Sequence, residues 1–250
     1  MTDHTESETS GGHPLDTDRD TTLAQVEAAT QRYLRTVAGL TDAQFGAPSV
    51  LPGWTMAHVV SHVASNATGI DRAVRAAMAG EPSWVYETNA GRDAEIDERA
   101  AWPVAELRAL NASSCDDLRD AFESCPADLL GHLLPRVIDG PPWSVLDWIG
   151  ARWREVEIHH TDLGAGYTQA DWDDDFVAYL TKVAAFDREP EVQLTLRSPE
   201  GDTEVGGGGQ VITGSQRDLV WWLIGRGGGQ GVASDEPLPT LGPWQRRTRE

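Results

Sequence analysis

The chain has 250 residues, a formal net charge of −20 and 40% hydrophobic residues, enough to build one large domain or two modest ones. The negative charge argues against binding to nucleic acid or to an anionic membrane surface, and no apolar run approaches the roughly 20 residues of a membrane span. The N-terminus lacks the basic start and apolar stretch of a signal peptide, so we expect a cytoplasmic protein.

The first two thirds of the chain carry helical patterns. Residues 1–20 are acidic, hold almost nothing that could be buried, and are predicted to form a disordered tail. From Thr22 onward, apolar residues recur at spacings of three and four. Helices are predicted over residues 22–39, 55–78, 89–101, 104–124 and 144–163, with a turn starting at 41–42 and a short extended segment at 129–137.

After Gly166 the pattern changes. A helix is predicted over 171–186, a strand over 191–197, a glycine turn over 206–209, a return strand over 210–213 and an apolar helix over 215–224. The predicted fold is therefore α+β. It has an up-down four-helix bundle at 21–168, followed by a smaller α+β domain at 169–250.

The predicted helix at 55–78 carries two histidines four residues apart, His58 and His62, which lie on one side of the helix. His58 points away from the apolar stripe of this helix, whereas His62 lies at its margin and Asn66 follows one turn later. A site inside the bundle would therefore use His62 before His58. An isolated pair with this spacing is more often a pair of surface or hydrogen-bonded histidines.

The predicted helix at 144–163 carries a second set of candidate ligands. Glu155 and His159 are four residues apart on one face, and Glu157 with His160 forms a competing pair three residues apart. The spacing does not decide between the two pairs, and a solvated face with salt bridges is an equally good interpretation. Taken with His62, however, two histidines and one carboxylate from two helices match a catalytic zinc site with an open fourth position.

A third feature is Arg226, which follows an apolar helix and has five glycines around it in GRGGGQG. Glycine permits close approach of a ligand, and arginine is suited to holding a carboxylate. A cation that only complements the end of the helix is the alternative. The two cysteines, Cys115 and Cys125, are too far apart for a CxxC pair and are expected to be reduced thiols, although a disulfide between them is possible.

Four segments in order resemble the mycothiol-dependent maleylpyruvate isomerases, a family within the DinB/YfiT-like metal-binding helical bundles. They are FGAPSVLPGWTMAHVVSHVASNA, GRDAEI, RWREVEIHHTDLGA and IGRGGGQGV. The resemblance covers nearly the whole chain after the tail, which itself departs from the family pattern. It implies a DinB-like bundle followed by a C-terminal domain like sterol carrier protein 2.

The resemblance also implies roles for individual residues. The metal ligands of the family fall on His62, Glu155 and His159, and its catalytic arginine falls on Arg226. An arginine that the family places near the site falls on Arg92. Arg92 and Asn66 are accordingly predicted to bind the substrate or the thiol, Asn66 because it follows His62 by one turn.

The reaction that the resemblance implies is the isomerisation of maleylpyruvate to fumarylpyruvate, in aromatic degradation through gentisate. Zinc would lower the pKa of the thiol of mycothiol, and Arg226 would hold a carboxylate or an enolate oxygen of the substrate. Two alternatives stay open from the sequence: a mycothiol S-transferase that acts on another electrophile, and a non-catalytic protein that binds a small ligand on the same scaffold.

Overall fold

The computed structural model describes residues 18–244. The predicted tail at 1–20 therefore lies outside the described residues except for its last three positions. Those positions belong to the start of the first helix, which begins at Arg19 rather than at Thr22. The Asp18 carboxylate accepts a hydrogen bond from the backbone N–H of Asp20 at 2.7 Å and so caps this helix.

Eight α-helices lie within the described residues: α1 Arg19–Gly39, α2 Asp42–Phe45, α3 Met56–Met78, α4 Asn89–Ala100, α5 Val104–Ser124, α6 Val145–Asp162, α7 Asp174–Arg188 and α8 Gln216–Leu223. The four long helices α1, α3, α5 and α6 form a bundle. In it, α3 packs mainly against α5, α1 packs against α6, and α4 covers α3 from outside. The predicted bundle is confirmed, and its helix ends differ from the predicted ones by at most a few residues.

Local sequence signals explain where the two helices with the candidate ligands begin and end. Thr55 caps α3, and its hydroxyl lies 2.7 Å from Nδ1 of His58. Ser144 caps α6 through the backbone N–H of Asp147, whose carboxylate returns the contact to Ser144. Gly164 ends α6 with a φ of +70°, a left-handed conformation that glycine adopts without strain.

Two small sheets complete the fold. They are built from β1 Leu133–Pro135, β2 Pro142–Ser144, β3 Leu194–Ser198, β4 Gly201–Val205, β5 Gln210–Gly214 and β6 Val232–Ala233. β1 and β2 form an antiparallel pair between α5 and α6, and the other strands form a sheet in the order β4-β3-β5-β6. The helices α7 and α8 pack together, and α8 contacts this sheet.

The predicted return strand at 210–213 is present, but its direction was predicted wrongly. β5 runs parallel to β3, with Leu194 beside Gln210. The antiparallel partner of β3 is β4. This strand was not predicted because Gly201–Val205 is mostly polar and has only one buried residue. The glycine turn at 206–209 then carries the chain back, so that β5 starts beside the first residue of β3.

The α+β fold class is confirmed, and one cluster of buried apolar side chains runs through both parts of the chain. The division at 168–169 therefore stays a prediction, as does the likeness of the second part to sterol carrier protein 2. Among the helices of the described residues, none is both long and apolar enough to cross a membrane.

The loop before α4 is pressed against α3 and attached to the β1–β2 segment. A Cβ atom at Gly69 of α3 would lie 2.8 Å from the carbonyl oxygen of Val85, so only glycine permits this approach. The backbone N–H of Tyr86 donates to the carbonyl oxygen of Arg136 at 2.8 Å. Tyr86 and Arg136 are thereby fixed beside each other on one side of α3.

The buried face of α5 gives a test of the bundle. Leu107 is fully buried, and Leu107→Ala is expected to lower the free energy of unfolding by about 2–5 kcal/mol through loss of burial and creation of a cavity. Leu133→Ala is the matched control, because Leu133 is 58% exposed and its truncation is expected to cost within about 0.5 kcal/mol. Denaturant unfolding measures both, and equal losses would contradict the packing described.

Candidate metal centre and its cavity

The structure brings His62, Glu155 and His159 together where α3 faces α6. Nε2 of His62 lies 2.9 Å from Oε2 of Glu155 and 2.9 Å from Nε2 of His159. Nε2 of His159 lies 3.4 Å from the same carboxylate oxygen. The four-residue spacing of Glu155 and His159 places both side chains on the face of α6 that meets His62.

These three atoms suit a divalent metal. They are two imidazole nitrogens and one carboxylate oxygen that face a common point, and they form a group of possible metal ligands within the described part of the chain. Zinc–nitrogen and zinc–oxygen bonds of about 2.1 Å in tetrahedral geometry would separate neighbouring ligand atoms by about 3.4 Å, close to the observed 2.9–3.4 Å. Three protein ligands would leave a fourth position open.

His159 is oriented from behind by a buried carboxylate. Nδ1 of His159 lies 3.0 Å from Oδ2 of Asp162, whose side chain is fully buried. Such a carboxylate fixes the ring so that Nε2 faces the metal position. Burial lowers the pKa of His159, but the contacts with Asp162 and Glu155 outweigh burial and raise the pKa to about 9. A proton on His159 therefore competes with a metal for this site.

Asp162 is in turn held by Arg226. Nε and Nη2 of Arg226 donate to the two carboxylate oxygens at 3.0 and 3.2 Å. Burial raises the pKa of Asp162, but His159 and Arg226 together hold it below its ordinary value. Arg226, predicted as the catalytic arginine, is thus placed behind His159 and is not among the residues that line the cavity described below.

His62 has a different neighbour on its far side. Nη2 of Arg92 lies 3.0 Å from Nδ1 of His62. A guanidinium can only donate, so this contact requires the His62 tautomer with its proton on Nε2. Coordination of a metal through Nε2 would instead place the proton on Nδ1. A protonated Nδ1 cannot accept a hydrogen bond from Arg92. Metal at Nε2 and this contact therefore exclude each other, and a metal would leave the Arg92 guanidinium available to the cavity.

The competing pair on α6 faces elsewhere. Glu157 contacts Arg32 of α1 and accepts a hydrogen bond from Tyr167 at 2.7 Å. Nε2 of His160 lies 2.7 Å from the hydroxyl of Thr36. These residues join α6 to α1 and lie outside the metal centre. Spacing alone did not distinguish the two pairs. In the structure they differ because one pair faces α3 and the other faces α1.

A cavity of about 510 Å³ opens from His62 and Glu155. Its lining contains three arginines and one carboxylate, that of Glu155, beside several aromatic side chains. The lining residues other than the two ligands are Asn66, Tyr86, Asn89, Arg92, Arg136, Val137, Pro141, Trp143, Trp148, Ala151, Arg154 and Trp244. Both residues predicted to bind the substrate or the thiol, Asn66 and Arg92, are among them.

Asn66 is oriented by a buried arginine. Nη1 of Arg152 donates to Oδ1 of Asn66 at 2.8 Å, and Nη2 lies 3.2 Å from Sγ of Cys115. Because the oxygen of Asn66 already accepts this hydrogen bond, its NH₂ group is the part that can donate to a ligand in the cavity. Cys115 and Cys125 are both free and buried, and burial raises the pKa of each thiol, so neither has the character of a nucleophile.

Several residues of the site were not predicted from the sequence. Asp162 could have been assigned from its position three residues after His159 on the same helix face. Tyr86 and Arg136 lie in irregular segments that have no periodicity, so no local signal pointed to them. Arg154 lies on α6, lines the cavity and donates a hydrogen bond to the hydroxyl of Tyr179 on α7, a contact that helix periodicity does not predict.

Comparison with known proteins shows a family match. Residues 26–164, more than half of the chain, match the family described as mycothiol maleylpyruvate isomerase N-terminal domain. The chain belongs to this family.

Two solved structures of the family resemble the whole chain. They are a crystal structure of the mycothiol-dependent maleylpyruvate isomerase and one of its histidine-to-alanine mutant. Each is 26% identical in sequence, with a TM-score of 0.84 over 93% of this chain and 100% of the other. No curated protein sequence matches significantly. Family membership and the common fold support a DinB-like bundle with a C-terminal domain.

The orientation of His159 leads to a prediction about metal affinity. Asp162→Asn keeps the shape of the side chain but removes the charge that orients His159, so the metal affinity is expected to fall about 10- to 100-fold. Zinc titration against a chelating competitor measures the change. His58→Ala is the control, because His58 lies one turn from His62 and contacts Thr55 instead. Equal affinities in the Asp162 variant and the wild type would exclude the orienting role.

The Arg92 contact leads to a second prediction, with the opposite sign. Arg92→Gln removes a cation and a hydrogen bond that compete with metal at His62. A hydrogen bond to a charged group contributes about 1.5 kcal/mol, so zinc affinity is expected to rise up to about tenfold, in the same chelator competition. A marked loss of zinc in this variant would show that Arg92 supports the metal centre instead of competing with it.

Proposed function

We propose that this protein is a mycothiol-dependent isomerase that converts maleylpyruvate to fumarylpyruvate and uses a metal, most suitably zinc, at His62, Glu155 and His159. The observation that carries the proposal is the convergence of these three ligands beside a cavity that His62 and Glu155 line and whose other charged lining residues are three arginines. The proposal is also supported by family membership and by the similar solved structure, whose title describes it as a mycothiol-dependent maleylpyruvate isomerase.

The proposed metal has one chemical task. Bound by His62, Glu155 and His159, a divalent cation with an open position would lower the pKa of a thiol, which is otherwise near 8.5 and largely protonated at neutral pH. Two nitrogens and one oxygen are a donor set that suits zinc. The buried carboxylate of Asp162 keeps His159 in the orientation that this task requires, and Arg226 contacts that carboxylate.

The proposed reaction needs a double bond to become single for a moment. The thiolate of mycothiol forms a C–S bond to one alkene carbon of maleylpyruvate, and the displaced electron pair moves onto the conjugated carbonyl oxygen as an enolate. Rotation about the new single bond follows. The enolate then re-forms the double bond in the trans geometry and expels the thiolate, so that no atom is gained or lost.

The protein would bind the charged ends of the substrate during these steps. Arg92 lies next to His62 and lines the cavity, so we propose that it binds a carboxylate beside the reacting carbon. Asn66 would donate from its NH₂ group to a substrate or thiol oxygen. The aromatic residues Trp143, Trp148 and Trp244 line the same cavity and would exclude water from the enolate.

Arg226 is proposed to act at the opposite side of His159. Its contacts with Asp162 use Nε and Nη2, and 27% of its side chain remains exposed. From this position it either supports the metal ligand through Asp162 or turns to hold a substrate carboxylate or the enolate oxygen. The two roles differ in their effect on metal content, so one variant separates them.

One activity assay tests both the proposed reaction and the role of Arg226. Purified protein with zinc and mycothiol is expected to convert maleylpyruvate, and Arg226→Ala is expected to lose at least about 100-fold in turnover while keeping its zinc. Arg217→Ala is the control, because Arg217 has a similar exposed fraction, 29%, and also forms an ion pair, with the exposed Asp174, away from the cavity. Loss of zinc together with activity would assign Arg226 to the support of His159.

Two other outcomes would replace the proposal. Turnover of a generic electrophile such as a bimane by mycothiol, without isomerisation of maleylpyruvate, would indicate a mycothiol S-transferase. Absence of bound metal from freshly purified protein, together with no thiol-dependent reaction, would indicate a binding protein on this scaffold. The arginine-rich lining of the cavity favours the acidic substrate over an uncharged electrophile.

A further inference from the structure

We infer that Arg136 forms a subsite for the second carboxylate of a short dianionic substrate whose first carboxylate is bound by Arg92, and that Arg136 makes the cavity select dianions over monoanions. The inference deepens the proposed function and rests on it for the identity of the natural substrate. The subsite itself is argued from contacts in the cavity, and its test does not require turnover.

Arg136 is held in place by its backbone. It follows β1, and its carbonyl oxygen accepts the hydrogen bond from the N–H of Tyr86 at 2.8 Å. The next residue, Val137, forms a bridge with Tyr86, and the N–H of Gly140 closes a turn onto the carbonyl oxygen of Val137 at 2.9 Å. The guanidinium thus extends from a fixed point on the cavity wall, which reduces the entropy lost when it binds a ligand.

The charge of Arg136 is not neutralised within the part of the chain that the structure describes. Its side chain donates to the amide oxygen of Asn89, which is uncharged, and its guanidinium lies 5.4 Å from the centre of the Tyr86 ring. No carboxylate among residues 18–244 lies within ion-pair distance of it. In a chain with twice as many acidic as basic residues, Arg136 thus resembles Arg154, the other lining arginine without an ion pair in that range, which donates to Tyr179, and both leave a positive charge for a ligand.

Arg92 lies near the same ring, with its guanidinium carbon 5.9 Å from the centre. Both cations therefore point into one cavity around one aromatic side chain, and Arg154 adds a third positive charge to the lining. Arg92 is paired with Asp93 at 2.7 Å through Nη1, whereas Arg136 and Arg154 have no ion pair among the described residues. A bound anion would compensate positive charge in a partly desolvated site and would accept hydrogen bonds in the paired geometry that guanidinium groups offer to carboxylates.

The position of the two arginines separates their roles. Arg92 lies beside the metal ligand His62, whereas Arg136 has no contact with a metal ligand among the described residues and contacts Asn89 and the Tyr86 ring instead. A substrate with one carboxylate can be satisfied by Arg92 alone. A substrate with a second carboxylate a few bonds away gains the interaction with Arg136, so this residue should discriminate between the two classes.

The test uses maleate as a short dianion and isocrotonate as a monoanion of the same cis shape. Both are titrated by calorimetry into the zinc-loaded full-length protein without thiol. Arg136→Gln is expected to weaken maleate binding about 10- to 100-fold, as for the loss of a charged hydrogen bond, and isocrotonate binding less than about threefold. Arg136→Lys keeps the charge and should retain part of the preference for maleate.

Arg197→Gln is the matched control, because Arg197 is paired with Asp202 on the sheet, away from the cavity, and it should bind both anions as the wild type does. Unchanged maleate binding in Arg136→Gln would overturn the subsite, and so would equal losses for both anions in that variant. If the Gln variant does not fold, failure of Arg136→Lys to prefer maleate over isocrotonate at all would overturn it.

The two proposals fail in different ways. If maleate binds through Arg136 but maleylpyruvate is not isomerised, the proposed reaction is wrong and the dianion subsite stands. If maleylpyruvate is isomerised and Arg136→Gln changes neither its KM nor maleate binding, the reaction stands and the subsite is wrong. If both proposals are correct, Arg136→Gln should raise KM for maleylpyruvate more than it lowers kcat.

Discussion

The burial of α6 is the constraint on which the rest of the structure depends. This helix belongs to the bundle and also packs against the second part of the chain through Trp153 and Arg154. It is buried on nearly every side although it carries many ionisable residues. Buried charges are tolerated only when they are paired or hydrogen-bonded, so each of them fixes a neighbour. The pairs are Arg152 with Asn66, Arg154 with Tyr179, Glu155 with His62, Glu157 with Arg32, and Asp162 with Arg226.

The pairing of α6 also explains how an acidic protein can form a site for an anion. The charge of the whole chain, −20, repels a dicarboxylate at long range. Near the cavity the balance is reversed, because the lining holds three arginines and its single carboxylate, Glu155, faces the two histidines. Screening limits long-range repulsion at physiological salt to about 8 Å, so the local cations decide what binds.

Much of the fold and part of the candidate site could be predicted from the sequence. The helices could be predicted because their caps and periodicity are local signals. The preference for His62 over His58 as a ligand followed from the position of His62 beside the apolar stripe. The choice between Glu155 with His159 and Glu157 with His160 could not follow from spacing, because spacings of three and four both place two side chains on one face of a helix. It depends on which neighbouring helix each face of α6 meets, and only the family resemblance pointed to the first pair in advance.

The differences that remain between the predictions and the structure also come from non-local contacts. The direction of β5 depends on β4, a mostly polar strand with little signal of its own. Arg226 has a glycine-rich setting that suggested a direct ligand contact, but its guanidinium meets Asp162 of α6, 64 residues earlier in the chain. Arg136 lies in a loop, where neither helix nor strand periodicity can say which way a side chain points.

The proposed metal ligands and the proposed substrate-binding residues lie in different kinds of structure, helices and loops. The three proposed metal ligands lie on α3 and α6, whose packing against each other sets the distances between the ligand atoms. The residues that would recognise a substrate, Tyr86 and Arg136, lie on loops tied together by backbone hydrogen bonds. Substitutions in those loops could alter the charge or shape of the cavity without moving the ligands. A metal centre built on helices can therefore be kept while its substrate changes, which is how one bundle could serve several thiol-dependent reactions.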